Sequence, residues 1–253
     1  MTKLYKKSEI GFAILWIVAY VVLSSLADQL SESVGVVKSV TAALHIVLSL
    51  ILFFWIKKNG LGEKYGFCRS KVPAKRFLYY LPLAVVASAS LWNGLGRRFD
   101  AAGTICFVLS MCGVGFLEEV IFRGLLFRAM EKDNVKSAIV VSALTFGLGH
   151  IVNAFNGSGR SLPATLFQIG FAVLVGFVLV LIFYRGGSLI PCIVFHAVNN
   201  SLSAFEAEGT LDPRLQLALN AAMIVVVLGG YLLWLVKAFP REKTETEAAK
   251  DGE

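Results

Sequence analysis

The stretch GVGFLEEVIFRGLLF, residues 113–127, lies in a long apolar run yet carries Glu118, Glu119 and Arg123 near the middle of what reads as a membrane span. A charged side chain at the centre of a span costs about 2.5–3.5 kcal/mol to insert, so the three together cost on the order of 8–10 kcal/mol. Each apolar neighbour contributes only about 0.3–0.6 kcal/mol in the other direction. The helix can insert, but the charges need partners or a use.

The rest of the chain supports the membrane reading. With 57% hydrophobic and 16% charged residues over 253 positions, and a mean hydropathy of +0.71, it lies outside the soluble globular range. The class expected is an all-α polytopic membrane protein. Apolar runs of about 17–25 residues predict about eight transmembrane helices enclosing a polar cavity. They fall at 11–27, 35–56, 77–92, 103–127, 135–152, 162–184, 189–205 and 215–238. The first follows Lys3, Lys6 and Lys7 but has no small-residue cleavage site after it, so it reads as a retained helix and not a signal peptide.

Lys and Arg concentrate in alternate connections. The N-terminal tail, segment 57–76, the turn 128–136, Arg185 and the C-terminal tail hold about eighteen of the 24 basic residues. The other connections are poorer in them, with Arg97, Arg98, Arg160 and Arg214. The positive-inside rule then puts both termini in the cytoplasm, which requires an even number of spans. The expected location is a multi-pass position in a prokaryotic plasma membrane. The net charge of +7 is thus mostly topological. Basic residues dispersed between spans argue against a nucleic-acid surface and for contact with lipid headgroups. Cys68, Cys106, Cys112 and Cys192 form no CxxC pair or metal-ligand spacing and read as small hydrophobes. One membrane domain is expected over 1–239, with its motif core at 113–205, followed by a polar, disordered cytoplasmic tail at 240–253.

At about 100° per residue, Glu119 and Arg123 share a helix face, with the acid on the favourable N-terminal side for an ion pair. Glu118 is offset by about 140° from Arg123 and should face the protein interior, toward a partner on another helix. Two of the three histidines sit in polar patterns. In ALTFGLGHI, Phe146 and His150 are four apart, and Gly147 and Gly149 permit close helix approach. In IPCIVFHAVNNSL, His196 and Asn200 share a face while Asn199 looks elsewhere. His45, among Leu44, Ile46 and Val47, has no such pattern and reads as a packing residue.

One carboxylate free of its local arginine, two imidazoles and a carboxamide suit hydrolysis of an acyl bond. Low-dielectric surroundings make a carboxylate a stronger base, so Glu118 with His150 can hold and deprotonate a water. His196 and Asn200 can donate to the oxygen on which charge develops. No serine or cysteine stands beside a base, which argues against a covalent nucleophile.

EEVIFR (EExxxR), FGLGH (FxxxH) and HAVNN (HxxxN), in this order on a multi-span chain, resemble the CPBP (CAAX protease and bacteriocin-processing, or Abi) family of intramembrane endopeptidases. The resemblance implies a conical cavity opening to the cytosol and the membrane. It implies Glu118 as general base, His150 as its partner on the water, and His196 with Asn200 as oxyanion stabilisers, supported by Glu119, Arg123 and Phe146. The expected partner is a peptide or protein substrate, prenylated or membrane-anchored, cut near its C-terminus without a cofactor. Three alternatives remain open. One is a zinc protease with Glu118, His150 and His196 as ligands, against which stand the missing HExxH spacing and the poor ligand Asn200. A second is a non-proteolytic bacteriocin-immunity or scaffold protein. The third is a proton-coupled transporter, although no interrupted helices recur in two similar halves.

Overall fold

The computed structural model describes residues 1–154, 161–207 and 211–237, so the tail expected at 240–253 and the loop around Asn156 lie outside the described residues. Among the described residues, a short helix at Thr2–Lys7 is followed by eight apolar helices. Six are long and apolar enough to cross a membrane: α1 (Glu9–Val34), α2 (Ser39–Lys58), α4 (Ala101–Met130), α5 (Val135–Ala154), α6 (Leu162–Gly186) and α8 (Arg214–Lys237). Two are shorter, α3 (Phe77–Leu91) and α7 (Ile190–Phe205). Among the described residues there is no strand, only an isolated bridge between Leu95 and Glu206. The chain is an all-α polytopic membrane protein.

The helix ends follow local chemistry that hydropathy does not register. The first helix runs past 27 because Asp28, which looks like a stop, is neutralised by Lys38 at 2.8 Å and accepts from Thr41 Oγ1 at 2.6 Å. Gly35 then caps it in the left-handed region at φ 80°, so the second helix starts at Ser39 and not at 35. Asp100 caps α4, its side chain accepting from the Gly103 amide at 2.7 Å. At 1.5 Å per residue α3 and α7 are only about 22 and 24 Å long, short of the roughly 30 Å of a hydrocarbon core.

Contacts between connections define the two ends of the bundle. At the basic end, Lys64 and Lys132 both bind Glu9, and the Lys71 amide donates to the Gly186 carbonyl. At the opposite end, Gly96 N donates to Phe205 O and Asn93 to Glu206. The short helices α3 and α7 run between the same two ends as the long ones.

The core is thickest toward the basic end. Residues 119–127 of α4 and Val178, Leu179, Ile182 and Phe183 of α6 are buried against Phe12, Leu52 and Tyr65. Close helix approach depends on small residues. A Cβ on Gly115 would lie 2.6 Å from the backbone nitrogen of Ala197, which locks α4 against α7. Gly147 meets Val173 of α6 in the same way, whereas Gly149 faces open space and makes no such approach.

Candidate active site

The polar residues of residues 113–127 stand where α4 changes its winding. Ala101–Glu118 is an ordinary α-helix, and Glu119–Phe127 is a π-helix in which all nine residues are buried. π turns are rare and occur frequently at functional sites, because the wider turn re-aims side chains. The regular 100° wheel therefore does not hold across this stretch. The i,i+4 pair survives nonetheless: Arg123 Nη1 donates to Glu119 Oε1 at 3.0 Å, both side chains being 0% exposed. Phe146 of α5 closes over the guanidinium, with Cζ 4.1 Å from the ring centroid.

His196 of α7 ties the two glutamates together. Its Nδ1 lies 2.8 Å from Glu119 Oε1 and its Nε2 lies 3.5 Å from Glu118 Oε2. Glu119 thus receives both a guanidinium and an imidazole, and it fixes the ring as a carboxylate orients a histidine in a triad. Gly115 permits this contact by bringing the backbones of α4 and α7 together one turn away.

Glu118 is the carboxylate at the rim, 13% exposed against 0% for Glu119. Its Oε1 accepts a 2.8 Å hydrogen bond from Tyr20 of α1, and its Oε2 has no hydrogen-bond partner among the described residues. His150, where α5 tightens from α- to 3₁₀-winding, makes no direct hydrogen bond or ion pair with Glu118 among the described residues. Its Nδ1 donates to the Phe146 carbonyl at 3.1 Å, which leaves Nε2 as the acceptor of the neutral ring. The Phe146 ring packs edge-on against both His150 and His196, with centroids 5.4 and 5.7 Å away. Asn200 is one turn beyond His196, half-buried, and its Oδ1 accepts from Asn199 at 3.1 Å.

Tyr20 escapes a reading of the sequence. Tyr20, Ser24 and Asp28 form a four-residue polar spacing along α1, but nothing local connects that stripe to a glutamate 98 positions away. His45 is buried as a packing residue would be. It also holds helices together, with Nδ1 3.2 Å from Ser110 O and Nε2 3.0 Å from Ser24 Oγ. The three proposed zinc ligands do not converge, since only Glu118 and His196 approach each other. Among the described residues no three His, Cys, Asp or Glu side chains are arranged to hold a metal.

Residues 100–202 match the family model described as Rce1-like, type II CAAX prenyl endopeptidase. The match spans α4 to most of α7, and so includes Glu118, Glu119, Arg123, Phe146, His150, His196 and Asn200 but neither Tyr20 nor His45. Comparison with curated proteins and with solved structures gave no match. Over residues 100–202, which carry the paired glutamates, the chain is thus similar to the CAAX-protease family of intramembrane proteases.

Proposed function

We propose that this protease cleaves peptide bonds with a water activated by Glu118, and that it does so without a metal. The observation that carries the reading is the chain of contacts Arg123–Glu119–His196–Glu118 inside the bundle. Glu119 is committed on one side to Arg123 and on the other to His196, so it is a positioning residue. Glu118 Oε2 is buried without a hydrogen-bond partner among the described residues, an unused acceptor that a water could satisfy, as a general base requires.

A proton on each ring nitrogen of His196 would balance the cluster, with two carboxylates against one guanidinium and one imidazolium. Burial favours such charge balance. In that form Nε2–H, too far from Glu118 Oε2 for a strong hydrogen bond at 3.5 Å, is free to donate to a carbonyl oxygen together with the Asn200 carboxamide. His150 Nε2, an acceptor in the neutral ring, would accept a hydrogen bond from the second O–H of the water. Attack on the carbonyl carbon then moves one water proton to Glu118 and negative charge to the oxygen facing His196 and Asn200. Collapse returns the proton from Glu118 to the leaving amine.

The substrate on this reading is a peptide segment of a lipidated or membrane-associated polypeptide, cut near its C-terminus. The test is cleavage of peptide libraries by purified protein, read by mass spectrometry. Activity should survive chelation and fall by about 10²–10⁴ in Glu118→Gln. Undiminished cleavage by Glu118→Gln would remove the assignment of the base. Loss on chelation with recovery on added zinc would replace the mechanism.

A further inference from the structure

We infer that His45 of α2 is a positioning residue for the reaction: it fixes the Tyr20 ring and, through that ring, the Glu118 carboxylate. This rests on the reading of Glu118 as the base, and it extends the site to α1 and α2, which lie outside the residues matched to the protease family.

His45 is buried while its neighbours Ile46 and Val47 are exposed, and its ring is held at both nitrogens. Nδ1 lies 3.2 Å from the Ser110 carbonyl oxygen of α4, an atom that can only accept, so Nδ1 carries the proton. Ser110 Oγ lies at the same distance on that side. The Nε2 lone pair is then the acceptor, and Ser24 Oγ of α1 donates to it at 3.0 Å. One neutral ring in a single tautomer thus joins α1, α2 and α4. An apolar side chain of similar size would fill the space without buried polar atoms to satisfy, so packing alone does not account for an imidazole here.

The consequence falls on Tyr20. Tyr20 and Ser24 are one turn apart on α1, so the bond from Ser24 to His45 fixes the helix where Tyr20 leaves it. The Tyr20 ring lies against the imidazole, with centroids 5.7 Å apart and planes inclined by 33°. At its far end the Tyr20 hydroxyl donates to Glu118 Oε1 at 2.8 Å. An imidazole that cannot rotate therefore backs a phenol that grips one oxygen of the base. With Oε1 held, Oε2 stays on the side of His196, 3.5 Å from its Nε2. Gly113 sets the depth of the arrangement, because a Cβ there would lie 2.5 Å from His45 Cβ. α2 is thus seated against α4 five residues before Glu118. His45 makes no hydrogen bond to either glutamate among the described residues, so it acts through Tyr20.

Peptide cleavage by the purified full-length protein is compared with that of His45→Phe, Ser24→Ala and Tyr20→Phe. His45→Phe keeps a ring against Tyr20 but removes both anchors, and Ser24→Ala removes one anchor and no ring. In His45→Phe kcat should fall by about tenfold with KM little changed, because a displaced carboxylate acts in the chemical step. Ser24→Ala should show a smaller loss of the same kind. His45→Phe combined with Tyr20→Phe should cleave no more slowly than Tyr20→Phe alone, since both changes act through one bond. Losses that multiply, or a lower unfolding temperature with kcat unchanged, make His45 a packing residue and overturn the proposal. Fluorotyrosine placed at position 20 gives a readout independent of cleavage. Its fluorine resonance should move in Glu118→Gln and also in Ser24→Ala. An unmoved resonance in Ser24→Ala overturns the positioning role even if His45→Phe fails to fold. A moved resonance together with undiminished cleavage by Glu118→Gln removes the base assignment and the catalytic use of the contact with it, while the contact from His45 through Tyr20 stands.

Discussion

The two halves of α4 share one helix axis and little else. Toward Ala101 the winding is regular, and Ile105, Leu109 and Cys112 form an exposed stripe suited to lipid. Toward Met130 the winding is that of a π-helix and no side chain from 119 to 127 reaches the surface. Glu118 and Glu119 are neighbours on either side of that boundary. One is sealed into an ion pair, the other is 13% exposed and bonded to Tyr20. The difference teaches that a membrane helix can hold two carboxylates side by side in separate roles when its winding changes between them.

Removing the proposed base, Glu118, should have the largest effect. Glu118→Gln keeps shape and the Tyr20 contact, so cleavage should drop by about 10²–10⁴ while thermal unfolding in detergent barely moves. The opposite signature is expected one turn inside. Arg123→Met strips the buried Glu119 of its guanidinium and leaves it only the His196 imidazole, and stability should fall by about 3–5 kcal/mol, read as a lower unfolding temperature and poor recovery from membranes. If Arg123→Met were as stable as wild type, the enclosed half would not depend on its ion pair.

Tyr20→Phe sharpens the comparison, since it removes one hydrogen bond to a charged group without a cavity. A change of about 1.5–3 kcal/mol is expected at the site. It should appear as a displaced pH profile of cleavage more than as a loss of fold, and an unmoved profile would reduce Tyr20 to packing. Gly115→Ala forces α4 and α7 apart at the boundary, at a cost of about 1–3 kcal/mol, and should weaken cleavage by shifting His196 from Glu118.

The smallest effect belongs to the basic end. Burial works against the charge of Lys64, but its hydrogen bonds to Glu9 at 2.7 Å and to Tyr5 outweigh this and hold its ammonium above the usual lysine range. A raised folded-state value means that the stabilisation is complete below the unfolded lysine range and is lost as pH rises through the folded one. Lys64→Met should therefore cost under about 1 kcal/mol after solvent screening, undiminished through neutral pH and fading only in alkali.

Much of this was readable in the chain. Of the eight apolar runs, six fall on helices long and apolar enough to cross a membrane and two on shorter apolar helices among the described residues, because hydropathy over about 20 residues is a local property. The Glu119–Arg123 pair was legible because four residues close one turn in either winding. The start of α2 was not legible, since Gly35 and Asp28 act through φ and a cross-helix salt bridge. Nor was the bond between Tyr20 and Glu118, which requires α1 to lie against α4.

The sequence by itself determined the membrane class, the order of the three motifs and which charges were numerous enough to need partners. Those properties depend on composition and short-range spacing. Only the tertiary structure decided that His196 stands between the two glutamates and that Tyr20 bonds to Glu118. Each of these depends on how close glycine lets α4 and α7 approach and on which half of α4 its neighbours enclose. Both are contacts between segments far apart in the chain, and no periodicity along the chain encodes them.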